Sequence, residues 1–226
     1  MNHLERLRGD GWKRDSSGLI GQSQGEYGNY PSLLFIEEGE YELEQLGRNM
    51  GGDGNSVLVK IPLLIYGAGR EKTTLVGVGL KIQGNKSNGK SNGIVEIGDL
   101  KIWGNKGFGL YAYQGMNVRM SGISVEECQG NGVEAYGADI SCDDLQVVGC
   151  GESGVRASHN ATITLSGQGT SVQGNNVVGR NWSIHHDTYG LEAHNQSILI
   201  SSIHLVHPLT KEQISTNNGV ETGVEK

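Results

Sequence analysis

A four-residue element that keeps returning along the chain constrains its fold more than any other feature. Gly109-Leu110-Tyr111-Ala112, Gly132-Val133-Glu134-Ala135, Gly154-Val155-Arg156-Ala157 and Gly190-Leu191-Glu192-Ala193 share a glycine, an apolar residue, a variable residue and an alanine. Their spacings are 23, 22 and 36 residues, so two intervals define a repeat and the third carries an insertion. Gly219-Val220-Glu221-Thr222 reads as a fifth, terminal copy. Self-similarity at a fixed period of this size marks a stack of units, each too small to bury a core alone.

A second element follows each copy: Val118-Arg119-Met120, Ile140-Ser141-Cys142, Ile163-Thr164-Leu165 and Ile198-Leu199-Ile200, with Val95-Glu96-Ile97 one repeat earlier. A two-residue link comes next, as in Gly98-Asp99, Ser121-Gly122, Asp143-Asp144 and Ser166-Gly167. The third element is Leu100-Lys101-Ile102, Ile123-Ser124-Val125, Leu145-Gln146-Val147 and Ile203-His204-Leu205. Apolar residues two apart mean strands, because alternate side chains face opposite sides. Three short strands per 22–23 residues predict an all-β fold, a single-stranded right-handed parallel β-helix built of three-strand coils. A leucine-rich repeat lacks support, since its signature and helical return are missing. A two-sheet sandwich needs hairpins, whereas this register repeats head to tail.

Stacking then predicts inward columns of Leu110, Val133, Val155 and Leu191, of Ala112, Ala135, Ala157 and Ala193, and of Ile97, Met120, Cys142, Leu165 and Ile200. Cys142 reads as a buried core thiol. Glycine, at 37 of 226 residues, is over twice its usual share of roughly 7 %. Gly-Asn pairs at 84–85, 104–105, 130–131 and 174–175 predict corners with left-handed backbone angles. The expected organisation is an N-terminal cap over 1–30 with Trp12 as a lid, a β-helix over 31–205 with an inserted loop near 174–189, and a C-terminal cap or tail over 206–226. A solenoid end exposes core and sheet edge, which is why caps are expected.

Composition removes several function classes. The formal charge of −7 leaves no nucleic-acid footprint. No run approaches about 18 apolar residues, so no membrane span is expected. Three cysteines (Cys128, Cys142 and Cys150), with no CxxC and no zinc-finger spacing, argue against a disulfide framework and a structural zinc site. The first residues lack the apolar core of a signal peptide, and the compartment stays open with a reducing one favoured. No cofactor and no metal is expected.

Ile36-Glu37-Glu38-Gly39-Glu40-Tyr41, then the run from Leu64 to Gly77 that reads LIYGAGREKTTLVG, resembles the opening of pectin-lyase-like β-helix proteins. The repeats over 93–205 are similar to that superfamily's coils. The resemblance implies the fold, and it implies a substrate groove over the sheet formed by the strand after the glycine corner. It does not choose among lyases, hydrolases, epimerases, tailspikes and binding modules. The aspartates and Gly-His-Gly of polygalacturonases are missing, as are the calcium-binding aspartates and Arg-x-Pro-x-x-Arg of many pectate lyases. Tyr189-Gly190 is only a faint echo of the alginate-epimerase motif.

The residues themselves supply that face. Tyr111, Glu134, Arg156 and Glu192 form one outward column, and Tyr113, Tyr136, Ser158 and His194 form the other. Glu134, Arg156, Glu192 and His194 are candidate acid/base residues, and Tyr111, Tyr113 and Tyr136 are candidate stacking surfaces for sugar rings. Neighbouring rungs also place Glu134 beside Arg156 as a plain salt bridge, which steadies a sheet without any catalysis. The insertion adds Arg180, Trp182, His185, His186, Asp187 and Tyr189 as candidate ligand contacts. His185-His186-Asp187 is not a metal set on an extended segment, because adjacent side chains point apart. Three readings follow: a module binding a polysaccharide or another protein, a carbohydrate-active enzyme (lyase, epimerase or glycoside hydrolase) using the same face, and a structural spacer.

Overall fold

The computed structural model describes residues 32–42, 56–84, 93–175, 190–193, 197–201 and 220–222, and among them it contains strands and no helix. The first coil is β1 (Ser32–Ile36), β2 (Gly39–Glu42) and β3 (Ser56–Val59). The second is β4 (Leu63–Gly67), β5 (Thr73–Val76) and β6 (Gly79–Gln83), and the third is β7 (Ile94–Gly98), β8 (Lys101–Trp103) and β9 (Leu110–Tyr113). The fourth is β10 (Asn117–Ser121), β11 (Ser124–Glu126) and β12 (Val133–Tyr136), and the fifth is β13 (Asp139–Asp143), β14 (Gln146–Val148) and β15 (Val155–Ser158). The sixth is β16 (Thr162–Ser166), β17 (Ser171–Gln173) and β18 (Leu191–Ala193), followed by β19 (Ile198–Ser201) and β20 (Val220–Thr222).

Like strands of successive coils pair in parallel. The first sheet runs β1-β4-β7-β10-β13-β16-β19-β20, the second β2-β5-β8-β11-β14-β17, and the third β3-β6-β9-β12-β15-β18. The protein is therefore a parallel β-helix of three-strand coils. The repeat copies fall in register in the third sheet: Val133 lies between Leu110 and Val155, and Val155 opposite Leu191. That apolar column and the column of Ala112, Ala135, Ala157 and Ala193 are fully buried.

Two registers differ from the sequence expectation. Ser201, not Ile200, lies opposite Leu165, and Ile200 pairs with Thr164. Ile198-Leu199-Ile200 is apolar throughout, so its pattern carries no alternation to choose a register, and a slip of one residue changes every facing. Val220–Thr222 pairs with β19 in the first sheet instead of extending the third sheet beyond β18. Its period-two pattern says strand, not which sheet. The expected N-terminal cap with Trp12, most of the 174–189 insertion, and 203–205 lie outside the described residues.

The corners divide into two kinds. The second residue of each link is left-handed: Asp99, Gly122, Asp144 and Gly167 have φ of 54°, 62°, 52° and 89°. Of the Gly-Asn pairs, Gly104 (φ 70°) and Gly174 (φ 60°) make the expected left-handed turn, whereas Gly84 and Gly130 are not left-handed. Gly84 is instead required by close approach, since a Cβ there would lie 2.3 Å from the Gln114 carbonyl oxygen. The repeat glycines are required for the same reason: at Gly132 a Cβ would lie 2.3 Å from Val147 Cγ1 and 2.6 Å from the Gly154 carbonyl oxygen.

That difference is measurable. Gly132→Ala should destabilise the protein by about 1–3 kcal/mol, because both clashing groups belong to the packed coil. Gly104→Ala meets nothing within 4 Å and should cost only the backbone strain, about 1 kcal/mol. Urea unfolding of the two variants checks the order.

Candidate functional site

The third sheet presents the expected outward face and extends it by a coil. Lys81, Tyr111, Glu134, Arg156 and Glu192 stand in one register column, and Gln83, Tyr113, Tyr136 and Ser158 in the next. Lys81 and Gln83 were not among the residues singled out from sequence. Their signal was present, since Gly79-Leu80-Lys81-Ile82 is the repeat element with isoleucine in place of alanine.

The face has an aromatic half and a charged half. Phe108 stacks on Tyr111 with ring centroids 5.1 Å apart, and Tyr111 on Tyr113 at 5.2 Å. Lys81 Nζ sits 5.7 Å and 5.4 Å from the centres of the two tyrosine rings, a cation–π arrangement. Both tyrosines are half-buried. Tyr136 does not continue this row. Its ring stacks on His159 at 3.9 Å, and His159 reaches it from a left-handed position (φ 58°).

The charged half corrects the expectation of an open outer face. Glu134 and Glu192 point outward from the strands but are only 5 % and 2 % exposed, and Ser158 is buried as well. The reason lies in the turns that enter the sheet. Asn131 Nδ2 donates to Glu134 Oε2 at 2.9 Å, and the Ser153 backbone N–H donates to Asn131 Oδ1 at 2.9 Å. The Ser153 hydroxyl donates to Glu192 Oε2. Arg156 lies between the carboxylates, with Nη1 3.5 Å from Glu134 Oε1 and Nε 3.5 Å from Glu192 Oε1. Its Nε is buried and makes no linear hydrogen bond in that pair. Glu152, also buried, adds a third carboxyl that acts electrostatically on Glu134.

Burial raises the Glu134 carboxyl from its ordinary 4.5 to about 7, and Glu152 and Glu192 push the same way. Arg156 and the Asn131 hydrogen bond oppose the shift without cancelling it. Glu134 can thus hold or release a proton near neutrality, beside a guanidinium able to stabilise developing negative charge. The plain surface ladder is seen elsewhere: Arg119 meets Glu96 at 3.3 Å with both side chains substantially exposed.

The structure therefore brings together Glu134, Arg156 and Glu192, and separately Tyr111 with Tyr113. It sets Tyr136 apart against His159. Arg180, Trp182, His185, Asp187 and His194 lie outside the described residues. Asn131, Glu152, Ser153 and Phe108 were missed from sequence because their turns lack the strand alternation. Among the described residues no group of three or more His, Cys, Asp or Glu is placed to hold a metal ion, and no helix is long and apolar enough to cross a membrane. No protein-family model, curated protein or solved structure matches the chain.

The sign of the pH effect follows from the raised Glu134 value. A carboxyl raised on folding contributes stability that is full below about 4.5 and lost as pH rises through about 7. Urea unfolding of the parent should show stability falling between pH 5 and pH 8 by about 2 kcal/mol from this group. Glu134→Gln should flatten that slope. An equal slope in the variant would assign the titration elsewhere.

Proposed function

We propose that the outer face of the third sheet binds a glycan, and that the protein is a binding module of the pectin-lyase-like β-helix superfamily. The observation that carries this reading is the row of Phe108, Tyr111 and Tyr113. These three rings overlap in sequence along a rigid sheet, with Lys81 and Gln83 beside them and the Glu134–Arg156–Glu192 cluster on the next rungs. Aromatic faces supply apolar area to the C–H faces of sugars, and the polar groups at the edge orient hydroxyls. The two stretches resembling the superfamily, at 36–41 and 64–77, support the family assignment.

One observation favours a second reading, catalysis on the same face. An arginine between two buried carboxyls, with the buried Glu152 acting on one of them, is costly to bury and is not a plain surface ladder. Clusters of this kind concentrate at functional sites. Glu134, with its value near 7, is suited to proton transfer to or from a glycan oxygen, as a hydrolase, lyase or epimerase requires.

A polysaccharide array read for both retained ligand and released product separates the two. Tyr111→Ala should lose about tenfold or more in affinity while circular dichroism stays that of the parent. Glu134→Gln should retain binding, and any product release by the parent should disappear in this variant. Binding by Tyr111→Ala equal to the parent would overturn the assignment of the face.

A further inference from the structure

Two of the three cysteines sit at equivalent places in consecutive coils. In four successive coils the second residue of the turn from the second sheet to the third falls in one stacked column, which reads Asn105, Cys128, Cys150 and Asn175. The backbone stays laddered there. Gln129 N–H donates to the Asn105 carbonyl at 2.8 Å, and one coil on, Gly151 N–H donates to the Cys128 carbonyl at 2.8 Å. The two side chains take the same direction. Cys128 Sγ lies 3.7 Å from the Glu126 carbonyl oxygen, and Cys150 Sγ lies 3.9 Å from that of Val148. Each sulfur is also 3.2 Å from where a Cβ would stand on the repeat glycine facing it, Gly109 for Cys128 and Gly132 for Cys150. The sulfurs thus occupy the same place one rung apart, and the Cys150 thiol acts electrostatically on that of Cys128.

Rungs of a parallel stack lie about 4.8 Å apart, inside the Cα separation of roughly 4.4–6.8 Å that a disulfide spans, and closure has to turn the two parallel side chains toward each other to bring their Cβ atoms within roughly 4.5 Å. Asn105 and Asn175 flank the two cysteines along the column, and Cys150 N–H donates to Asn175 Oδ1 at 2.9 Å. Cys142 is apart from this column: it lies in the core on β13, with its sulfur 3.8 Å from Met120 Sδ.

We propose that Cys128 and Cys150 are a paired dithiol that closes to a disulfide joining the fourth and fifth coils when a disulfide oxidant is present. The exchange balances with glutathione disulfide as oxidant. One cysteine thiolate attacks a glutathione sulfur and releases one glutathione thiolate, giving a mixed disulfide. The second cysteine thiolate then attacks the protein sulfur and releases the other. The two cysteines lose two protons and two electrons, and one glutathione disulfide becomes two thiols. Both protein thiols are free and fully buried, and the neighbouring Cys150 thiol together with burial holds the Cys128 thiol well above its ordinary range. Closure is therefore slow on the folded chain and fast during refolding, when the turns open to the oxidant.

The full chain refolded in a buffer dominated by oxidised glutathione tests this, with thiols alkylated and peptides mapped by mass spectrometry without reduction. The expected product has one Cys128–Cys150 linkage, an alkylated Cys142, the parent's circular dichroism and a Tm several degrees above the reduced protein. Cys142→Ser should form the same bridge, and Cys128→Ser should form none. Three free thiols at equilibrium, a stable glutathione adduct in place of the bridge, or a bridge that includes Cys142 would each overturn the proposal.

Discussion

The in-register hydrogen bonding of one coil onto the next is the constraint on which everything else rests. Because like strands pair in parallel, a residue's place in its coil decides which residues lie above and below it. Val133 meets Leu110 and Val155 for the same reason that Glu134 meets Tyr111 and Arg156. Core columns, surface columns and the thiol pair are products of one ladder. The glycines before the third strands let the coils close so tightly that Val147 lies where a Cβ at Gly132 would stand.

The ladder also explains how a charged cluster comes to be buried. A β-helix aligns side chains across rungs without a special loop for each, so Arg156 is placed between Glu134 and Glu192 by pairing alone. Solvation is decided by a different part of the coil. Asn131 and Ser153, in turns preceding neighbouring third strands, take up the outer oxygens of the two glutamates. On the first sheet the same rung pairing, Arg119 with Glu96, remains in water and has ordinary surface-pair energetics. Identical pairing thus yields a modest ladder on one face and a buried cluster with a raised carboxyl on another, and the dielectric surroundings make the difference.

Much of this was legible because the period is written in the chain. The repeated glycine, the alternation and the alanine were enough to place Leu110, Val133, Val155 and Leu191 inside and Glu134 and Arg156 outside. The spacing of Cys128 and Cys150 is the repeat length itself, so their pairing was also readable, yet three cysteines read only as a disulfide count conceal it. Where the alternation stops, legibility stops. Ile198-Leu199-Ile200 offers two equally apolar registers, and the turns holding Asn131, Glu152 and Ser153 have no period to follow.

The sequence by itself determined the coil, its length and, wherever apolar and polar residues alternate, the composition of each column and the neighbours along its ladder. Those properties follow from local alternation and a fixed repeat. Only the tertiary structure decided that Glu134 and Glu192 are dry, that Tyr136 turns to His159 and leaves Phe108, Tyr111 and Tyr113 as the aromatic row, and that the two cysteine sulfurs share a direction. Each depends on where turn residues of adjacent coils settle in three dimensions. Burial, ring stacking and side-chain direction are properties of that packed neighbourhood, which no single repeat encodes.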